Sequence, residues 1–124
     1  KRLRRERDRS APGRFDLKQG RGGLVDLEFL LQYYVLSNAV EHPSLLSARG
    51  SAALLDALHE TGVVSAESAE ALLDAHERLL AAALVCTLDD RPRVIAIDPD
   101  LDRVANIITV HFEAELDIHR QVID

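Results

Sequence analysis

The chain has 124 residues, a length that supports one hydrophobic core and is short for two domains. With 47% hydrophobic and 29% charged residues it has the balance of a globular protein, which excludes a disordered, fibrous or membrane-dominated class. The net charge of -6 is unevenly placed: residues 1 to 14 hold seven Lys or Arg against Glu6 and Asp8, a local +5, and the remainder carries -11. Such a split predicts different surroundings for head and body, the head being suited to phosphate, nucleic acid or an acidic neighbouring surface.

Leu and Ala dominate the apolar residues, aromatics are 4%, and Met and Trp are absent, so the intrinsic preference is helical. The single Cys86 can form no intrachain disulfide, and its apolar neighbours Leu79 to Leu88 predict a buried, inert thiol and a reducing, cytoplasmic setting. No run approaches the ~20 consecutive apolar residues that span a bilayer, and no signal-type apolar segment follows the basic start. Neither export nor a membrane is expected.

In chain order, residues 1 to 14 (KRLRRERDRSAPGR) hold too few apolar side chains to bury a face, and Pro12-Gly13 stops any helix. The head reads either as a truncated helix whose partner is missing, followed by a turn, or as a frayed, solvated terminus. Phe15-Asp16-Leu17-Lys18 alternates as a short strand would, and Gly20, Gly22 and Gly23 close it. Four residues make no sheet, so the partner strands are expected in sequence outside this chain.

Leu24, Val25, Leu27, Leu30, Leu31, Tyr34 and Val35 predict a helix from Leu24 to about Glu41, before Pro43. A second helix opens at Ser51 and is ended by Gly62. A third, capped by Ser65, carries the stripe Ala69, Leu72, Leu73, His76, Leu79, Leu80, Ala83 and Leu84 and ends near Leu88. Val94 to Ile97 reads as an apolar connector. Asp98-Pro99 then pairs an N-cap with proline at the first helical position, opening a helix to about Arg120. Short polar turns between helices imply antiparallel neighbours, hence an all-α fold: an antiparallel four- or five-helix bundle with a basic N-terminal tail and a short strand-like segment.

Several clusters invite a chemical reading. A glycine-rich turn entering a helix suits an anion, and Lys18 and Arg21 flank it, but GRGG matches neither phosphate-loop pattern, so a tight turn is the simpler reading. Asp26 and Glu28 lie in a first helical turn, where they complement the macrodipole, and about 200° between them is poor placement for one metal. Asp98, Asp100 and Asp102 lack the glycine and distal Glu of a calcium loop and read as capping and dipole residues. His59-Glu60 and His76-Glu77 lack the second His of a zinc motif. No catalytic and no metal residue is assigned.

The segment FDLKQGRGGLVDLEFLLQYYVL, residues 15 to 36, closely resembles glutamate-ammonia ligase (glutamine synthetase) adenylyltransferases where a nucleotidyltransferase domain joins its helical domain. Phe15, Asp16, Lys18, Gly22, Gly23, Asp26, Glu28, Phe29, Gln32, Tyr33 and Leu36 carry the match. The resemblance implies two segments: residues 1 to 23 as the last helix, final strand and Gly-rich turn of a nucleotidyltransferase domain, and residues 24 to 124 as the helical bundle. Asp26 and the following QYYVL are more similar to the adenylylating, C-terminal half of that two-part enzyme.

The same resemblance implies AMP transfer from ATP, with magnesium, to a tyrosine of glutamine synthetase, in the service of nitrogen metabolism. ATP and magnesium would be held upstream, so this fragment itself takes no cofactor and is expected to be inactive alone. Lys18, Gly22, Gly23, Asp26 and Glu28 would face the catalytic domain and its nucleotide. Implied partners are that domain, glutamine synthetase and a PII signal protein. The alternatives are the helical domain of a protein-PII uridylyltransferase-like enzyme, whose Gly-Gly junction is similar, and a non-catalytic protein-interaction bundle. Nucleic-acid binding is not expected, because the basic head lacks an aromatic for stacking and the body is acidic.

Overall fold

The computed structural model describes residues 8–123, with side chains through residue 115. In chain order it contains β1 (Arg14–Asp16), α1 (Leu24–Asn38), a 3-10 turn (Pro43–Ser47), α2 (Ser51–Glu60), α3 (Ala66–Leu88), β2 (Val94–Ala96) and α4 (Pro99–Ile123). The helices pack on one another as a bundle, with α1 against each of the other three, and the all-α expectation holds with four helices and one small ribbon. None of the described helices is long and apolar enough to cross a membrane.

The sequence signals for the helix ends act as expected. Ser65 Oγ accepts from the Ser68 N–H at 3.1 Å, and Asp98 Oδ1 accepts from the Leu101 N–H at 2.8 Å, each satisfying a donor that a helix start leaves open. At the end of α2, Gly62 takes φ +78 and the Val63 N–H returns to Leu58 O at 2.9 Å. α1 stops at Asn38, whose side chain caps Tyr34 O at 2.8 Å, three residues short of the expected end. α4 runs three residues past Arg120. The expected head helix falls largely on residues 1 to 7, outside the described residues; the turn after it is present, with Ala11 and Arg14 exchanging backbone hydrogen bonds.

One expectation is corrected. The strand at the start does not need a sheet from elsewhere, because β1 pairs antiparallel with β2, Phe15 opposite Ile95. The segment read as a connector is that partner. Leu17 follows the ribbon into the core, and its N–H donates to Arg93 O at 2.8 Å, so the head is tied to the loop between α3 and α4.

The core takes Leu27, Leu30 and Leu31 from α1, Leu55 and Leu58 from α2, Leu72, Ala75, Leu79 and Cys86 from α3, and Val104 and Ile108 from α4. Cys86 is buried as its apolar setting predicted. The α3 stripe is narrower than expected: Leu80 and Leu84 are 41% and 52% exposed, and Ala75 and Cys86 point inward in their place. A step of four residues advances the side chain by about 40° beyond a full turn, so the row Leu80, Leu84, Leu88 winds off the core.

Tyr34 lies in this core, and burial, aided by Glu115, pushes its phenol up to about 12. A raised folded-state value favours the neutral phenol in the native protein. That contribution is full below pH 10 and is lost as pH rises towards 12, about 2–3 kcal/mol in all. Phenolate absorbance should therefore show a phenol titrating well above 10 in the native protein, and Tyr34→Phe should flatten the alkaline loss of stability. A native phenol set titrating entirely near 10 would refute the assignment.

Candidate functional site

The motif that stands out in the sequence forms the junction between β1 and α1, and its centre is Asp16. This carboxylate is 1% exposed. Oδ1 accepts from the N–H groups of Lys18 and Gln19 at 3.0 and 2.9 Å, and Oδ2 accepts from the Arg9 N–H at 3.0 Å. An aspartate bonding the N–H groups two and three residues on is a local turn device. Sequence reasoning placed Asp16 in a strand and among the motif residues without a role in the turn, although an Asp just ahead of a glycine-rich turn was the signal available.

The glycines are packed inside the chain. At Gly22, with φ +80, a Cβ would lie 2.2 Å from Ala105 O on α4; at Gly23 it would lie 2.8 Å from Leu17 O. The turn's donors are also engaged. The Gly20 N–H goes to Asp16 O, that of Gly23 to Gly20 O, that of Leu24 to Leu17 O, and that of Val25 to Lys18 O. The Gly22 N–H donates to Asp26 Oδ2 at 2.7 Å. Gly22 and Gly23 thus let α1 approach α4 and the β1 segment, and these N–H groups are not open to an anion.

Asp26 and Glu28 separate as their helical spacing predicts. Asp26 is 6% exposed and bound to the turn, whereas Glu28 is on the surface. Lys18 is also exposed, and with Leu24, Glu28, Leu80, Leu84 and Arg93 it lines a shallow groove of about 190 Å³ on the α1–α3 seam. Leu24 and Glu28 at the start of α1 meet the end of α3 there, so the two helices run antiparallel. Arg21 points away and pairs with Glu113 of α4. The structure therefore brings Lys18 and Glu28 together on one surface and keeps Gly22, Gly23 and Asp26 beneath it.

The remaining acids have structural work. Asp98 caps α4, and Asp100 joins Arg78 and Arg103 at 2.8 Å each, which holds its carboxyl below the usual range. His111 bridges α4 to α3, with Nδ1 2.8 Å from Ile107 O and Nε2 3.0 Å from Ser68 Oγ. Among the described residues no group of three or more His, Cys, Asp or Glu is placed to hold a metal.

Comparison with known proteins places this junction in context. Residues 1–108 match the family described as GlnD PII-uridylyltransferase. The chain is 50% identical over 114 residues, 92% of its length, to the bifunctional glutamine synthetase adenylyltransferase/adenylyl-removing enzyme of Xanthomonas campestris pv. campestris (strain B100). It is 53% identical over 107 residues, 86% of its length, to the enzyme of that name from Xanthomonas axonopodis pv. citri (strain 306). With the Stenotrophomonas maltophilia (strain K279a) relative of the same name, identity is 47% over 108 residues, 87% of the chain. The chain spans only 11 or 12% of the length of these relatives.

Proposed function

Since this chain belongs to the GlnD PII-uridylyltransferase family, we propose that it is the helical domain of a glutamine synthetase adenylyltransferase, the enzyme that moves AMP from ATP to a tyrosine of glutamine synthetase. The observation that carries this reading is the 50% identity over 92% of the chain to a relative named for that activity. Asp26 and the QYYVL that follows favour the adenylylating, C-terminal half. We place the boundary between the nucleotidyltransferase domain and the bundle at Gly23. Phe15 and Leu17 share the bundle core, so the junction is stiff rather than a free linker.

In this reading the chain supplies surroundings and no reacting group, and it is inactive by itself. Among the described residues the three junction carboxylates are not placed to share a magnesium ion: both oxygens of Asp16 accept backbone N–H groups, Asp26 is tied to Gly22, and Glu28 stands apart on the surface. In this reading ATP and magnesium are held by residues outside this chain. Lys18 and Glu28 face the catalytic domain, with Lys18 offering positive charge to nucleotide phosphates, while Gly22, Gly23 and Asp26 fix the turn that presents them. Glutamine synthetase is the target, a PII signal protein is a regulatory partner, and the cytoplasm is the setting that the lone buried thiol fits.

In the enzyme that carries this chain, Lys18→Ala should lower kcat/KM for AMP transfer by about tenfold without loss of fold, because the side chain is exposed. Asp26→Ala should act through the turn, lowering stability as well as rate. Unchanged adenylylation kinetics in both variants would sink the assignment of the junction to the active cleft. The second reading, uridylyl transfer to a PII protein, is favoured by the description of the matching family. Supplying labelled ATP and UTP with each acceptor separates the two, and UMP on PII with no AMP on glutamine synthetase would decide for the second.

A further inference from the structure

The groove on the α1–α3 seam combines three features that the bundle itself does not use. The Nε of Arg93, one of its walls, is buried and has no hydrogen-bond partner among the described residues. A buried donor left in that state carries a desolvation cost that a hydrogen-bond acceptor would offset. Lys18 adds a second positive charge, against only Glu28, so the groove favours an anion. Beside it the row Leu80, Leu84, Leu88 is 41%, 52% and 84% exposed, an apolar ridge with nothing over it among the described residues.

The chain's own path says what lies nearest. Arg9 is held to Asp16 at 3.0 Å, and Leu17 is bonded to Arg93 O at 2.8 Å, so the head enters the bundle next to this groove. Sequence joined to the head is thereby held at high effective concentration beside it. The relatives are about eight times as long as the stretch they share with this chain, and in the functional reading above the nucleotidyltransferase domain precedes the head.

We propose that this groove is the docking surface for the nucleotidyltransferase domain, which seats a carboxylate-bearing apolar segment there: the carboxylate on Arg93, the apolar side chains on Leu80, Leu84 and Leu88. The inference rests on the functional reading above for the identity of that domain. It adds the surface and the chemistry of the segment that meets it. Docking through a fixed ionic anchor would hold the junction motif in one orientation towards the active cleft.

The test uses the enzyme in which this chain occurs, with Leu84→Cys or, in parallel, Leu88→Cys, labelled by a maleimide and read by mass spectrometry of that peptide. Covered, each introduced thiol should react at least about tenfold more slowly in the native than in the unfolded enzyme, and Arg93→Glu should return the rate towards the unfolded one. Native labelling within about threefold of the unfolded rate at both positions overturns the proposal. So does protection that Arg93→Glu leaves intact, since the carboxylate anchor would then be absent. A photo-cross-linker attached to the thiol of the Leu84→Cys variant should capture a peptide of the nucleotidyltransferase domain, and capture of any other region overturns the occupant. AMP transfer is measured on the same preparations. Transfer with unprotected thiols sinks this inference alone, whereas protection without any transfer to glutamine synthetase sinks the functional reading alone.

Discussion

Gly22→Ala is expected to destabilise the chain by about 3 kcal/mol, a large share of the 5–15 kcal/mol typical of a domain. Two costs combine at this position. The backbone sits at φ +80, where an L side chain costs about 1–2 kcal/mol. The new methyl would also lie 2.2 Å from Ala105 O and 2.8 Å from its carbonyl carbon, both main-chain atoms of α4 that no rotamer change can move. Forcing the helices apart adds the roughly 1–3 kcal/mol of overpacking. Gly62→Ala provides the control, because Gly62 has φ +78 but nothing within 4 Å of the added carbon. It should cost only the conformational part, about 1 kcal/mol. Urea unfolding gives both values from the shift in midpoint at unchanged slope. Equal losses would mean that the α1–α4 approach at Gly22 is not tight.

That contrast also marks where sequence reading reaches its limit. Gly20, Gly22 and Gly23 announce a turn, but nothing in their order reveals that α4, some 80 residues on, lies against one of them. The ribbon has the same character. Phe15 pairs with Ile95 across three intervening helices, and two strands of three residues give too little alternation to identify each other. By contrast, Ser65, Gly62 and Asp98-Pro99 act within one turn of their own position, so the ends of α2, α3 and α4 were legible to within a few residues. The exposed row on α3 lies between these cases. Helical spacing identified Leu80 and Leu84 as apolar, but which flank of a wide stripe faces the core depends on where neighbouring helices stand.

For the candidate site, residue identity carried most of the information. Glu28 and Lys18 were singled out by the motif, and their common groove follows only from the antiparallel seam of α1 with α3. Gly22, Gly23 and Asp26 were singled out in the same way, yet their atoms are engaged with the chain itself. A shared motif thus mixes two kinds of residue, those that present a surface and those that hold it in place. Helical spacing separated Asp26 from Glu28, but it could not sort Lys18, Gly22 and Gly23, because the turn before α1 has no period.

Asp16→Ala tests the holding role most directly. The substitution removes the acceptor for three backbone N–H groups, those of Arg9, Lys18 and Gln19, at a position that is 1% exposed. Water cannot readily replace a carboxylate there, so the donors lose their partners together, and a cost of about 3 kcal/mol is expected. The Arg9 guanidinium, at 3.8 Å and more than half exposed, contributes little to that figure. Asp16→Asn keeps an oxygen for Lys18 and Gln19 but turns an amide NH2 towards the Arg9 N–H, so it should cost roughly half as much. Amide exchange localises the effect: Lys18 and Gln19 should lose protection in Asp16→Ala, while the amides of α2, remote from the junction, keep theirs. The Leu17 N–H to Arg93 O bond is next in line, and its loosening would free the head from the groove. If Lys18 and Gln19 stayed protected, Asp16 would not be what sets the turn, and the stiffness assigned to the junction would have to come from Leu17 and the glycine packing alone.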